Sequence, residues 1–600
     1  MSRSSCRIIF ALLLACPLCA ADPSPASAFR RTTASSPVHW NSWDATTLER
    51  AKKEGKPVYL FVGSFLSELS RASVRQSFAN AEVAAFLNAS FFCVLVDRDE
   101  QPEVAAGIQH YLRTVKQLDG WPANVWLTPE LQPYEGATYL PPSEEWGKPS
   151  FSKIAHQAYD AWVANPAACR GHATEALAQL ANPFPAVAAG PAKTGEHLAA
   201  AAEGWLATID AEHGGFGQSP KAPEPELLRF LLRQSPAGRE AALAALRALT
   251  GGAIRDPLDG AFFERTSDAA WRLPYLQKTL ALQARLALAF LDAAEISGDK
   301  SPIPSARGAL DGALANFSLP DGGFAASLDA TPDELAANFA WTEAEIDSVL
   351  GADAVAFKHA YGVVPAGNVA DDDDSAGLFH GKNLLYRATP VGDAAAESAL
   401  ASACTRLRAV RDKRPAPLRD EHATAGASGL MLAALARAGA QLGDAHYLEA
   451  AKRTFDAVKK EFVLPKDAGL RRWREGAAEG SPADYAEVAL GCREFGRAAK
   501  NKSADALATK LLRRLNETYL DPAAGRYFAS AAPVPAGLFT RAPATVDTLS
   551  VEALAWQAGA PPEVSAALIK GLNAWAENTN PAPGDVLLAL VLSEKNPPAP

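Results

Sequence analysis

Cysteine is scarce in this chain: seven residues among 600. Three of them, Cys6, Cys16 and Cys19, fall within the first 28 residues. The other four, Cys93, Cys169, Cys404 and Cys492, are spaced for neither a Cys-x-x-Cys redox pair nor a zinc site, so neither metal nor cofactor is expected. Cys93 lies in an apolar run and reads as a buried, inert thiol. Positive charge is also short. The net charge is -10, and no basic stripe carries interleaved aromatics, so a nucleic-acid partner is not expected. Long apolar runs are missing too, which excludes a membrane-spanning helix by the usual length criterion.

What is present is globular. The composition is 48% hydrophobic and 21% charged, enough apolar surface for a packed core. Six hundred residues exceed one ordinary domain, whose usual size is about 50–250 residues. Arg3 and Arg7, the apolar run Ile8 to Leu14 and the small residues that follow read as a removed signal peptide over 1–28. Cys19-Ala-Ala21 and Ala26-Ser-Ala28 both fit a cleavage pattern. Leu13-Leu-Ala-Cys16 resembles a lipoprotein box, so a lipid anchor at Cys16 is the alternative. Either way the expected location is periplasmic or extracellular.

Residues 29–165 alternate helix and strand. Asp44 to Glu54 reads as a helix with Asp44 as N-cap. Pro57 to Val62, Phe91 to Val96 and Ala123 to Thr128 read as buried strands, with helices near Ser67–Phe78 and Glu103–Lys116 between them. This βαβ order implies an α/β domain. Residues 166–190, rich in Ala and Pro, read as a linker with one short helix. Residues 191–600 carry long Ala- and Leu-rich segments separated by Gly- or Pro-containing loops. They read as helical hairpins, which a closed ring would bury efficiently.

These motifs resemble the thioredoxin-domain proteins related to spermatogenesis-associated protein 20. The matching stretches include Pro37-Val-His-Trp-Asn-Ser-Trp43, Val96-Asp-Arg98, Gly120-Trp-Pro122 and Gly136-Ala-Thr-Tyr139. Further on, Gly214-Gly-Phe-Gly217, Asp256-Pro-Leu-Asp-Gly-Ala-Phe262, Ala340-Trp-Thr342 and Asp484-Tyr-Ala486 also match. The resemblance implies a thioredoxin-like α/β domain followed by an all-α (α/α)6 toroid of the six-hairpin glycosidase type. The family carries Cys-His-Trp-Cys-His where this chain has Ser67-Glu-Leu-Ser-Arg71. A dithiol site needs a thiol of lowered pKa at a helix N-terminus and a second thiol to resolve the mixed disulfide. Ser67 and Ser70 supply neither, so Ser67 is expected to be only a helix N-cap. Pro122 matches the cis-proline of that fold.

An open toroid funnel lined with acids and tryptophans suits a sugar. The candidate cleft residues are Asp256, Glu264, Trp271, Tyr275, Gln277, Asp329, Trp341, Asp420, Glu421, His422 and Asp484, with Asp259, Asp268 and Trp473 beside them. Three family positions have lost their titratable groups and become Tyr275, Gln277 and Leu282. Asp420-Glu-His422 stands where the family has Asp-Asp-Lys and is the best surviving polar cluster. The expectation is a redox-inactive, weakly active or noncatalytic protein that binds a glycan-like ligand or a partner protein. The alternatives are a divergent glycosidase or sugar epimerase, then a thioredoxin-like oxidoreductase.

Overall fold

The computed structural model describes residues 27–180 and 194–595, apart from 375–376, 391, 466–468, 475, 477, 522–524, 530–554, 556–558 and 579–583. The signal-region cysteines and the last ten residues of the expected linker, 181–190, lie outside these residues.

The first domain is built on five strands: β1 (Asn41–Ser42), β2 (Val58–Gly63), β3 (Phe92–Asp97), β4 (Ala123–Leu127) and β5 (Pro133–Ala137). Their order in the sheet is β1-β3-β2-β4-β5. β2 pairs parallel with β3 and antiparallel with β4. The central strand β2 is buried throughout because both faces are covered. Its residues alternate between two cores. Val58, Leu60 and Val62 join a cluster with α2 (Ala45–Glu54) and α5 (Pro102–Tyr111); Tyr59 and Phe61 join one with α4 (Ala81–Ser90) and α6 (Phe151–Ala164). The expected strands and helices are all found here. β1 and β5 were not foreseen: β1 is two polar residues, and β5 begins with proline and contains glycine, both poor strand formers.

Two boundaries move. Pro166–Leu180, expected within the linker, is helix α7, with Cys169 and Ala173 in one core of the sheet and Ala176 and Leu180 in the other. Its alanines are packing residues, too small to announce themselves as an apolar face. The expected signal peptide also ends inside the fold, because Ser27 and Ala28 are buried and Ala28 starts helix α1 (Ala28–Thr33).

The second domain alternates inner and outer helices. The inner ones are α9 (Pro225–Gln234), α11 (Leu280–Ser297), α17 (Ala425–Leu442), α19 (Pro482–Ala499) and Gly584–Lys595. α9 packs on α11, α11 on α17 and α17 on α19, and Gly584–Lys595 packs on α9, following the ring of an (α/α)6 toroid. Outer helices include α10 (Pro236–Gly251), α12 (Ile303–Phe317), α18 (Ala445–Glu461) and α20 (Lys502–Tyr519). The inner helices are buried on nearly every side, which explains their Ala-, Leu- and Gly-rich texture; the outer ones bury a single stripe. α17 and α19 cross at backbone contact, since a Cβ at Gly429 would lie 2.6 Å from Val488 Cα. Helices α13 (Pro332–Phe339), α14 (Glu343–Leu350), α15 (Ala354–Tyr361) and α16 (Ala394–Arg411) form an excursion between α12 and α17. Most of its apolar residues, with Trp341 and Leu258, make a separate small core.

At the toroid mouth a three-stranded antiparallel sheet gathers distant segments: β6 (Lys278–Thr279), β7 (Ser327–Asp329) and β8 (Leu418–Asp420), in the order β6-β7-β8. It brings Gln277, Asp329 and Asp420 to one end of the ring. No helix among the described residues is long and apolar enough to cross a membrane.

Candidate functional site

The β2 strand delivers its chain to the N-terminus of helix α3 (Glu68–Ala72). Ser67 caps that helix, its Oγ accepting from the Ser70 backbone N–H at 3.2 Å. Ser67 Oγ also donates to the Trp121 carbonyl at 3.5 Å, and the Trp121–Pro122 peptide is cis. Ser70 is fully buried, and its Oγ accepts from the Ser64 N–H at 3.4 Å. Both hydroxyls therefore serve the backbone. Cys93, Cys169, Cys404 and Cys492 are free and buried. Burial pushes the thiols of Cys93 and Cys492 up to about 12, far from a reactive thiolate.

Arg71, which follows Ser70, joins the two domains. Its buried guanidinium donates to the Phe65 carbonyl, pairs with Glu68 at 2.7 Å and crosses to the toroid. There it pairs with Asp329 and donates to the Ala330 carbonyl at 2.8 Å. Gln277 Nε2 donates to Asp329 Oδ2 at 2.7 Å and to the Leu66 carbonyl at 3.0 Å. Arg472 Nε donates to the Asp99 carbonyl at 2.8 Å. The expected open funnel is therefore corrected: the thioredoxin-like domain sits on the mouth and inserts the loop that carries thiols in the resembled family. Two of the expected cleft residues, Gln277 and Asp329, are occupied in holding it there.

Other expected cleft residues prove to be scaffolding. Asp256 and Asp259 form a buried ion cluster with Lys278 (2.8 Å to each) and Arg411 (3.0 Å to Asp259, and in contact with Asp256). Burial pushes the Asp256 pKa up, but Arg411 and Lys278 outweigh it and hold the carboxyl well below the usual range. Asp268 accepts from the backbone of Arg272 and Leu273, closing a turn. The tryptophans offer no platform. Trp271 is 2% exposed, donates to the Gly214 carbonyl at 3.2 Å and lies under Lys221. Trp341 is fully buried beneath Arg414, 3.8 Å from its ring centre. Trp473 is buried with its ring 5.1 Å from His422. Tyr275 is exposed under Arg265, and Glu421 is exposed and paired with Arg419.

The remaining expected residues stay close to the seam. Glu264 accepts from the Thr279 hydroxyl, and burial raises its pKa. Asp420 accepts from the His422 N–H at 3.2 Å; burial, with nearby Asp99 adding, lifts its pKa to about 6. Burial and then Arg31 and Arg472 push His422 down to about 4, so it is neutral at physiological pH. Asp484 caps α19 through Ser481, pairs with Arg472 and accepts from the Gly426 N–H at 3.0 Å.

Sequence reasoning missed Glu487, one turn along α19 from Asp484. It accepts from Arg285 at 3.1 Å, and Arg285 also pairs with Glu226 at 3.2 Å, so three inner helices meet here. Burial dominates, Asp484 adds, and the Glu487 carboxyl rises to about 7. A Cβ at Gly426 would lie 2.2 Å from Glu487 Oε2 and 2.9 Å from Asp484 Oδ1, so both carboxylates lean over this glycine. Glu103 of the first domain feels Arg472 and Asp484, and burial raises its pKa as well. The signal available was Asp484-Tyr-Ala-Glu487: two acids three positions apart in the otherwise apolar first half of the helix.

The chain is similar to several known proteins. The Thioredox_DsbH family model, described as a protein of unknown function, DUF255, matches residues 23–181. Spermatogenesis-associated protein 20 of Mus musculus is 28% identical over 558 residues, covering 84% of this chain and 70% of its own. The chain resembles the spermatogenesis-associated protein 20-like proteins along most of its length. The Homo sapiens family protein is also 28% identical, over 553 residues, with the same two shares. Among solved structures, cellobiose 2-epimerase from Bacillus thermoamylovorans B4167 is similar at 8% identity and a TM-score of 0.42, over 67% of this chain and 99% of that one.

Proposed function

We propose that this chain is an exported, redox-inactive protein whose toroid mouth, roofed by the thioredoxin-like domain, binds a glycan-like ligand. The observation that carries redox inactivity is the use of Ser67 and Ser70 as backbone partners beside Arg71, which is spent on Asp329. Support for a hydroxylated ligand comes from the Glu487 group. A sugar hydroxyl both donates and accepts, so it needs both kinds of partner on one surface. Glu487, titrating near neutrality, supplies either; Arg285 and Arg472 donate, and Asp484 accepts.

A glycan array followed by calorimetry on the mature protein tests this reading. Expected is binding to at least one sugar, weakened about tenfold or more by Glu487→Gln, in line with loss of a hydrogen bond to a charged or buried group. Failure to bind any sugar shifts the reading to a protein partner. A thiol-dependent disulfide reductase activity in the same protein would return it to the oxidoreductases.

One observation favours a second reading as a divergent glycosidase or sugar epimerase. Glu487 has the raised pKa of a general acid and stands beside a second carboxylate, Asp484. Release of reducing sugar, or exchange of a sugar C–H proton with solvent, lost in Glu487→Gln, is its signature.

A further inference from the structure

The chain that starts at Ser27 is tied into both domains. The Ser27 backbone N–H donates to Glu100 Oε1 at 3.1 Å, and its hydroxyl donates to Asp97 Oδ2 at 2.5 Å. The Ala28 backbone lies near enough to Asp420 on the toroid to lower that carboxyl's pKa slightly. Phe29 is fully buried, its ring filling the space a Cβ would take at Gly63 and stacking on Phe61. Arg30 pairs with Glu100 at 3.4 Å, and Arg31 acts on Asp420 and His422 through its charge. Both residues flanking the Ala28–Phe29 bond thus lie in the core.

Two small-residue patterns compete for leader removal, one ending at Ala21 and one at Ala28. We propose that the leader is cut at the Ala21–Asp22 bond, and that Ser27–Thr33 stays as a clasp holding the thioredoxin-like domain on the toroid mouth. Water adds across that peptide bond, giving a carboxylate on Ala21 and an ammonium on Asp22. Both bonds are open to a peptidase before folding, but only one cut leaves a chain that completes the fold. A cut after Ala28 strips a donor from each of Asp97 and Glu100 and removes the Ala28 backbone from beside Asp420. Asp97 is 3% exposed and, among the described residues, has no cation bonded to it and would keep only the Asp99 N–H at 2.8 Å. The same cut sets a new ammonium on a residue with no exposed surface. A cut after Ala21 disturbs none of these contacts.

The inference rests on export but on no ligand. The test is the intact mass of the full chain expressed with its own N-terminus in an exporting bacterium and recovered from the envelope or medium. A mature protein starting at Asp22 is expected. A start at any other residue overturns the proposed cut, and a chain that keeps Met1 throughout the culture overturns export as well. The clasp is tested separately on chains released from a cleavable fusion to start at Asp22 or at Phe29. The shorter one is expected to melt lower by about 2–4 °C and to be cut faster between the domains by an added protease. Ser27→Ala in the longer chain should give part of that shift. Equal melting of the two chains overturns the clasp.

Discussion

The Ser67–Arg71 loop and the Glu487 group lie on opposite sides of one interdomain seam and hold their polar atoms in different states. In the loop each polar group has a fixed partner. Ser67 caps a helix, Ser70 meets the Ser64 N–H, and Arg71 is divided among Phe65, Glu68, Asp329 and Ala330. At Glu487 and Asp420 burial has instead left carboxyls that exchange protons at about 7 and about 6. The difference teaches how its surroundings make a polar group structural or leave it titratable. The Ser67 and Ser70 hydroxyls fold back onto the backbone, whereas at Glu487 burial outweighs the pairing with Arg285 and leaves a carboxyl that can hold a proton near neutral pH.

The comparison can be pressed by mutation, beginning where the effect is largest. Arg411→Met removes one of the two cations paired with Asp256 and Asp259, and the toroid should lose about 3–5 kcal/mol, read from its denaturant midpoint. Arg71→Ala leaves the buried Asp329 with Gln277 and the Ala330 N–H only. It should cost about 2–3 kcal/mol and speed proteolysis between the domains, while an unchanged digestion pattern would mean that the loop is not the interdomain pin. Gly426→Ala should cost about 1–3 kcal/mol through overpacking against Glu487 and Asp484, and should abolish ligand binding with the fold retained.

The pH dependence carries a sign for each group. The Glu487 pKa is raised in the fold, so the folded state holds the extra proton. Its contribution is complete below the unfolded value near 4 and is lost as pH rises through about 7. Glu487→Gln should therefore remove a component that falls by about 2 kcal/mol between pH 5 and pH 8. His422, depressed to about 4, runs the other way: its neutral form stabilises above the ordinary histidine value near 6.5, and that stability is lost as pH falls towards 4. Stability curves of Glu487→Gln and His422→Gln should consequently differ from the parent with opposite slopes; parallel slopes would remove both assignments. The smallest effect belongs to Ser67→Ala, about 1 kcal/mol for a lost N-cap, with no change in ligand binding.

Much of the fold could be read from particular residues. The runs Pro57–Val62 and Phe91–Val96 are apolar on both faces and had to be central strands. Leu280–Ser297 and Ala425–Leu442 are apolar nearly all round and had to be inner helices. The site was less legible. Asp256, Trp271 and Trp341 sit in family motifs and read as cleft residues, yet each is consumed by partners brought from far along the chain: Arg411, Gly214 and Arg414. Glu487 was hidden because one acid in an apolar helix becomes notable only when Arg285 and Gly426 arrive beside it.

By itself the sequence determined most of the elements that form, and that hydroxyls, not thiols, stand at residues 67 and 70. Hydrophobic period is a local property, and a serine cannot become a thiol in any fold. Only the tertiary structure decided which polar residues remain titratable. That depends on burial and on which charges come within a few ångströms, and both are set by contacts between residues hundreds of positions apart, as Arg71 and Asp329 are.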